Sequence, residues 1–343
     1  MPQNVRDLVL RYSQGESLPA AQLQGAFGAL MQGQLPDSLI AALLTALQVR
    51  GFQAHEIETV ARVVRDHLIP VQHACKGPLI DLCGTGGDTR STFNVSTTSS
   101  FVVAAAGVRV AKHGNRSVSS TCGSADVMEA LGLDLDLAPT QIARCLEEIG
   151  IGFMFSPVHR PALPELTRVR SELAIRTIFN VVGPLTNPAH VDRQLLGVFS
   201  AELVPIMAQV LDALGSERAM VVHGLDGLDE ISLSGATVVA ELKDGCISEY
   251  SLHPSDFGLV PQALDALKVK SVAQARQMFL DVLEGQPGAP RDIVLLNSAA
   301  ALYLCGKVAS VTEGVTMAAR AVDSGQAMHT YESLLSFTHG LRN

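Results

Sequence analysis

Residues 78–97 read PLIDLCGTGGDTRSTFNVST. The first half, Pro78 to Gly87, reads as a buried strand running into a glycine loop. Residues 95–108, VSTTSSFVVAAAGV, then read as a helix, and VRVAKHG, 108–114, as a second strand. Strand, loop, helix and strand in that order make the start of an α/β region. The loop carries three glycines, and two aspartates and several hydroxyls crowd the stretch around it. Backbone amides unhindered by side chains approach phosphate oxygens closely, and a helix N-terminus adds the positive end of its dipole. A phosphorylated ligand is therefore one reading of the loop, and a tight strand-to-helix turn is the other. The loop is not GxGxxG, and no GK[ST] makes it a Walker A loop. The NVST that follows favours the ligand, because Asn94, Ser96 and Thr97 present polar side chains to whatever the loop cradles. Ser96 is also in reach of a magnesium ion.

Outward from this stretch the text divides. From Met1 to about His67, apolar positions recur at three and four through four short segments, with no strand signal. Beyond the first βαβ unit, GSADVMEALGL and PTQIARCLEEIG read as helices and IGFMFS as a strand. RQLLGVFS, AELVPIMAQVLDALG and RAMVVHG repeat strand, helix, strand. ATVVAELKDGCISEYSL reads as a hairpin turning at Asp244-Gly245. From about Asp265 the chain is mainly helical. The expected architecture is an α/β fold with a small N-terminal helical domain, 1–70, and a large α/β domain, 71–343. Its central sheet is mostly parallel and flanked by helices. Residues 162–188 begin as a helix, end as an extended Gly/Pro-rich segment, and are expected to join the helical domain in part.

Composition narrows the function. The chain has 343 residues, 47% of them hydrophobic and 17% charged, enough for a sizeable core. Lys and Arg number 25 against 34 Asp and Glu, a net charge of −9 that disfavours nucleic acid and anionic membrane as general partners. No apolar run is long enough to span a bilayer, and no signal-peptide core opens the chain, so a cytoplasmic protein is expected. Six cysteines form no CxxC pair and no zinc-finger spacing with histidine, which points to reduced, packed thiols. Cys83, at the start of the glycine loop, reads as a small residue ending a buried strand rather than as a nucleophile.

Three further clusters carry polar chemistry. KHGNRSVSSTCGSAD, 112–126, follows the second strand, and ligands in open α/β sheets sit at the carboxyl ends of strands. Lys112 and Asn115 read as ligand-binding there. Arg116 and Ser117 read equally as solvated loop, and Ser119 and Ser120 extend a phosphate cradle. HGLDGLDEISL, 223–233, sets Asp229 beside Glu230. Alone such a pair is a solvated turn; beside a phosphate site it is a magnesium site, since magnesium bridges carboxylates and substrate phosphate. In RVRSELAIRTIFNVVGPLTNP, 168–188, Arg170 stands in a helix, either as a surface residue or as a bidentate clamp for a carboxylate.

Together GTGGD, NVST, KHGNR with SS, GSAD and EALG, RTIFN with GPLTNP, and HG.DGLDE closely resemble the anthranilate phosphoribosyltransferase family, over nearly the whole chain and in the family's order. The resemblance implies the nucleoside phosphorylase-type fold, a homodimer joined through the helical domain, and Mg2+ as cofactor. It implies transfer of phosphoribose from phosphoribosyl pyrophosphate to the amine of anthranilate in tryptophan biosynthesis. It implies that Gly84, Thr85, Gly86, Gly87, Asp88, Thr92, Asn94, Ser96, Thr97, Lys112, Ser119, Ser120 and Ser124 hold the donor. Ser96, Asp229 and Glu230 match magnesium ligands. Gly84, Asn115, Pro157, Arg170 and Gly183 match the anthranilate site, and Lys112, His113 and Arg170 stand at the reacting centre. The aryl amine of anthranilate is already neutral, so His113 orients substrate as readily as it serves as a base.

One stretch departs from the family's pattern. VHRPALPEL, 158–166, has Arg160 where histidine is usual, Leu163 for a methionine or aromatic residue, and Pro164 for a lysine or arginine. That raises a same-fold transferase with another aromatic acceptor as an alternative. A pyrimidine nucleoside phosphorylase is opposed by KHGNR and GPLTNP. A non-catalytic nucleic-acid-binding paralogue is opposed by Asp229, Glu230 and the acidic balance.

Overall fold

Among the described residues one sheet of seven strands runs in the order β3-β2-β1-β4-β5-β6-β7, numbered along the chain. The computed structural model describes residues 2–87, 90–116, 122–160 and 162–341. The chain divides into two compact units, residues 1–69 with 160–186, and residues 70–159 with 187–343.

The first unit opens with α1 (Pro2–Ser13), α2 (Ala20–Met31), α3 (Asp37–Arg50) and α4 (Ala54–Arg65). In the second unit follow β1 (Leu79–Gly84), α5 (Val95–Ala105), β2 (Arg109–Gly114), α6 (Ser124–Ala130), α7 (Pro139–Arg144) and β3 (Ile151–Phe155). The chain returns to the first unit for α8 (Pro164–Leu173) and α9 (Ile178–Val182). The second unit is completed by β4 (Arg193–Gly197), α10 (Leu203–Ala213), β5 (Arg218–Gly224), β6 (Thr237–Lys243), β7 (Cys246–Leu252), α11 (Val272–Leu283), α12 (Ala289–Leu304), α13 (Val311–Asp323) and α14 (Gln326–Gly340).

In the helical unit Leu23, Phe27, Leu43, Leu44, Leu47, Ile57 and Val60 are fully buried. Phe27 packs on Phe179 of α9, with ring centroids 6.0 Å apart. Here the expected extended segment is corrected. Residues 178–182 are helical and Gly183–Leu185 form a 3-10 turn. The cause is a reciprocal cap, since the Asn180 Oδ1 accepts the Thr177 N–H at 2.9 Å. Pro164 has an equally local reason. It is the first residue of α8, where a missing N–H costs nothing.

In the second unit β3, β2, β1, β4 and β5 are parallel, and β6 and β7 add an antiparallel edge. The parallel strands read as near-continuous apolar runs because helices cover both faces. The hairpin turns at Asp244 and Gly245, both at positive φ, 53° and 72°. The hydroxyl run of α5 divides in function. Thr98 and Ser100 donate to the carbonyls of Asn94 and Ser96 at 2.9 and 2.8 Å, and Ser99 donates to the Val294 carbonyl of α12 at 3.4 Å. Those three small buried side chains let α12 pack against α5; they do not face a ligand.

Candidate active site at the carboxyl ends of the strands

Strand order reverses between β1 and β4: the chain steps from β1 to β2 and β3 on one side and from β4 to β5 on the other. The crevice outside the carboxyl ends at such a switch point is where open α/β sheets bind ligands. Gly84 and Gly197, the last residues of β1 and β4, are paired across it. A Cβ on Gly197 would fall within the main chain of Asp229, and one on Gly84 would overlap the Asp229 carboxylate. The two glycines thus form the slot that admits Asp229.

The glycine loop is tied down around that slot. Thr85 donates its N–H to the Gly197 carbonyl at 2.9 Å, and its hydroxyl accepts the Phe199 N–H at 3.1 Å. Gly86 donates its N–H to the Asp229 Oδ2 at 2.9 Å. Gly86 and Gly87 both take positive φ, 63° and 73°, which lets the backbone turn without a side chain in the way. Asp88 lies outside the described residues. Thr92 pairs with Lys268 in an isolated bridge, anchoring the return of the loop.

At the mouth of α5 the polar residues separate by role. Asn94 stands at the N-cap position, and its Nδ2 donates to the Cys122 carbonyl at 3.3 Å. Its Oδ1 and the Thr97 Oγ1 are buried, with no hydrogen-bond partner among the described residues. Buried polar atoms of this kind call for a partner. The Ser96 N–H donates to the Glu230 Oε1 at 3.0 Å, so Glu230 caps the positive end of the helix. Glu230 is half-buried, and its carboxyl is pushed up to about 8, first by lost hydration and then by Asp229. Asp229 and Glu230 are therefore joined to the glycine loop and to α5 respectively. This juxtaposition was not readable from the sequence, where the partners stand 143 and 134 residues apart.

The loop bearing this pair is built by residues the sequence reading did not single out. Asp226 accepts the Leu228 N–H at 3.1 Å and the hydroxyls of Ser232 and Ser234. Asn297 of α12, fully buried, accepts the Ile231 N–H at 3.0 Å and donates to the Ile231 carbonyl at 3.0 Å. A lone amide in the apolar helix text IVLLNSAAAL was the available signal for Asn297.

On β2 the structure places Lys112 nearly buried, its Nζ donating to the Leu82 carbonyl at 2.5 Å. His113 and Asn115 follow at the strand's carboxyl end, half-buried and exposed. Ser124, opening α6, accepts the Asn115 N–H at 3.2 Å. Arg116 reaches Glu129 at 2.8 Å and Asp126 at 3.1 Å and stacks on Phe155. Ser119 and Ser120 lie outside the described residues. Pro157 is exposed in the 3-10 turn Ser156–His159 after β3. Cys83 is buried, its sulfur accepting the Gln194 Nε2 at 3.0 Å, and burial and Asp81 hold the thiol well above its ordinary range.

In the helical unit Arg170 sits in the last turn of α8 with its guanidinium 5.6 Å from the Phe179 ring centroid. Its pKa is lowered first by burial and then by Arg160, whose own is lowered by burial. Neither arginine has an acidic partner among the described residues. Gly183 opens the 3-10 turn, its carbonyl accepting the Thr186 hydroxyl at 2.7 Å.

Residues 76–328 match the model of the glycosyl transferase family α/β domain, and residues 6–68 match that family's helical bundle domain. The anthranilate phosphoribosyltransferase of Chromobacterium violaceum is 51% identical over 312 residues, 91% of this chain and 91% of that protein. That of Nitrosomonas europaea is 47% identical over 336 residues, 98% of each. Among solved structures, the anthranilate phosphoribosyltransferase of Thermus thermophilus superposes with a TM-score of 0.90 at 41% identity, covering 96% of this chain and 99% of that one. The Saccharomyces cerevisiae enzyme, solved in complex with PRPP and Mg, gives 0.88 at 26% identity, covering 97% and 98%.

Proposed function

The chain belongs to the anthranilate phosphoribosyltransferase family of glycosyl transferases, and from that premise we propose that it transfers phosphoribose from phosphoribosyl pyrophosphate to the amine of anthranilate. The products are N-(5-phosphoribosyl)anthranilate and pyrophosphate, within tryptophan biosynthesis. The observation that carries this reading is the Asp229–Glu230 pair, hydrogen-bonded to the glycine loop on one side and to the start of α5 on the other.

Magnesium fits that pair. Two adjacent carboxylates and the Ser96 hydroxyl are hard oxygen donors, and a cation offsets the lost hydration and then the Asp229 repulsion that together raise Glu230. When bound, magnesium supplies neutralisation of charge on the departing pyrophosphate. This chain's residues do the rest. The bend of the glycine loop, bare of side chains at Gly86 and Gly87, leaves room for the phosphates beside the positive end of α5. Phosphoribosyl pyrophosphate would supply the partners that Asn94 Oδ1, an acceptor, and Thr97 Oγ1 lack among the described residues. Gly84, Thr85, Asp88, Thr92, Lys112, Ser119, Ser120 and Ser124 are the further donor-site residues of this reading.

The C1–oxygen bond to pyrophosphate breaks as the C1–nitrogen bond forms, and the amine loses one proton. With a neutral aryl amine as nucleophile, positioning supplies much of the acceleration. On this reading Arg170 and Gly183 are the acceptor residues of the helical unit, Arg170 for the carboxylate of anthranilate; Gly84, Asn115 and Pro157 are the acceptor residues of the α/β unit, and Lys112 and His113 its residues for the reacting atoms. Arg160 and Arg170, half-buried and without acidic partners among the described residues, support an anionic acceptor.

The helical unit is the element through which two copies pair, a reading supported by the exposed side chains of Leu10 and Val49. A cytoplasmic location accords with six cysteines free of disulfides. Among the described residues no helix is long and apolar enough to cross a membrane.

The deciding experiment follows anthranilate fluorescence with phosphoribosyl pyrophosphate and magnesium present and each omitted in turn. Decay that needs both establishes the reaction. Absence of decay, with donor binding intact by calorimetry, would reassign the acceptor.

A further inference from the structure

Asp81 lies in the middle of β1, fully buried in an otherwise apolar strand, and the reaction gives it no contact with substrate. Its carboxylate is nevertheless fully engaged. Oδ1 accepts the His113 N–H at 3.2 Å, and Oδ2 accepts the Asn187 Nδ2 at 2.9 Å. The same Asn187 Nδ2 donates to the Ala111 carbonyl at 2.8 Å, and the Asn187 Oδ1 accepts the Ala189 N–H at 2.9 Å. The Lys112 ammonium, on the Leu82 carbonyl one residue along β1, faces the same carboxylate. Burial pushes the Asp81 carboxyl up, while Lys112, Asn187 and the His113 N–H pull it back.

These contacts converge on one short piece of chain. Ala111, Lys112 and His113 are successive residues of β2, and each is bound to Asp81, to its partner Asn187 or to its neighbour Leu82. Regular pairing joins β1 and β2 only at Leu79–Arg109 and Ile80–Val110. Beyond Val110 the ladder to β1 lapses, and side chains take its place. A buried carboxylate is a poor way to stabilise a sheet, because a well-packed apolar residue avoids its desolvation. It is a good way to fix one backbone conformation, since a half-satisfied network in that position is strongly unfavourable.

We infer that Asp81, with Asn187, is a positioning residue that sets the carboxyl end of β2 and so aims Lys112 and His113 at the reacting centre. This rests on the proposed transferase reading for the role of those two residues. The clamp itself rests on the hydrogen bonds alone.

The test compares wild type, Asp81→Asn and Asn187→Ala by two readouts. One is hydrogen–deuterium exchange of the peptide spanning 109–116. The other is kcat and KM for both substrates, measured well below each thermal midpoint. Asp81→Asn places an amide donor against the Asn187 amide or against the His113 N–H. Faster exchange is expected at 109–116 with α1–α4 unchanged, together with a tenfold or larger fall in kcat and a raised donor KM, since Lys112 is also a donor-site residue of the proposed function. Unchanged exchange at 109–116 overturns the clamp. Faster exchange with kcat within twofold overturns the aiming role. Should Asp81→Asn fail to fold, Asn187→Ala, which keeps the bond to His113, is read by the same two criteria. A wild type that does not consume anthranilate refutes the transferase reading instead, and the exchange still decides the clamp.

Discussion

The main-chain carbonyl of Asp229 occupies the space that a side chain on Gly197 would need. Backbone cannot yield as a flexible side chain does. Gly197→Ala is therefore expected to push the 225–231 loop out of the switch-point crevice. Overpacking of this kind costs about 1–3 kcal/mol. Thermal melts should show the loss, and a magnesium titration of turnover should show a weaker apparent affinity. A variant with both quantities unchanged would falsify the slot.

Glu230 gives stability a pH dependence whose sign is fixed. Its folded pKa of about 8 lies above the ordinary 4.5. Between those values the folded chain holds a proton that the unfolded chain has released, so stability falls as pH rises from about 4.5 to about 8. The melting midpoint of the ligand-free protein should decline over that window, and Glu230→Gln should flatten the decline. Part of the slope will persist in the variant, because the buried Asp81 carboxyl is raised in the same sense. Magnesium with donor should raise the midpoint more at about pH 8 than at about pH 6, since a cation needs the ionised form.

Replacing both Asp229 and Glu230 by alanine removes the acceptors of the Gly86 and Ser96 amides as well as the carboxylates. Turnover should fall chiefly through magnesium–pyrophosphate handling, with the largest deficit at limiting magnesium. Initial rates across a magnesium series check this; a deficit independent of magnesium would remove the metal role.

Arg170→Ala deletes a half-buried guanidinium from the helical unit. A charge-assisted contact contributes roughly 1.5–3 kcal/mol, which is about tenfold to 150-fold in anthranilate KM. The donor KM should stay within about threefold. Equal changes in both would take Arg170 out of the acceptor site.

Period and punctuation carried most of the fold. The four N-terminal helices, the βαβ alternation and the Asp244-Gly245 hairpin are each local patterns, and local patterns survive in text. Gly183 and Pro184 favour extended chain in the text at the end of 162–188, but the Thr177–Asn180 cap holds residues 178–182 helical. The hydroxyls of α5 show the same limit. Ser96 and Ser100 look alike in sequence, yet the Ser96 N–H meets Glu230 while the Ser100 hydroxyl turns back to the Ser96 carbonyl. Motifs named Asp229 and Glu230, but the glycine slot that holds them joins residues 84, 197 and 229. No window along the chain contains that relationship. Asn187 and Asn297 were silent for the same reason, since each acts by what its amide reaches across the fold.

The order of the strands has a consequence for the ribosome. The chain is made from β1 toward β5, yet the crevice needs β1 and β4 side by side, with the 225–231 loop closing it. When β1, β2 and β3 have been synthesised, the glycine loop exists but the Asp229 carboxylate that receives its amide does not. The helical unit is interrupted as well, with α8 and α9 made about 100 residues after α4. The helical unit is therefore complete only when residue 186 has been made, and the crevice only when the 225–231 loop has followed β4. On the proposed function, donor binding waits for that loop, and a chain truncated before residue 225 should leave phosphoribosyl pyrophosphate unbound.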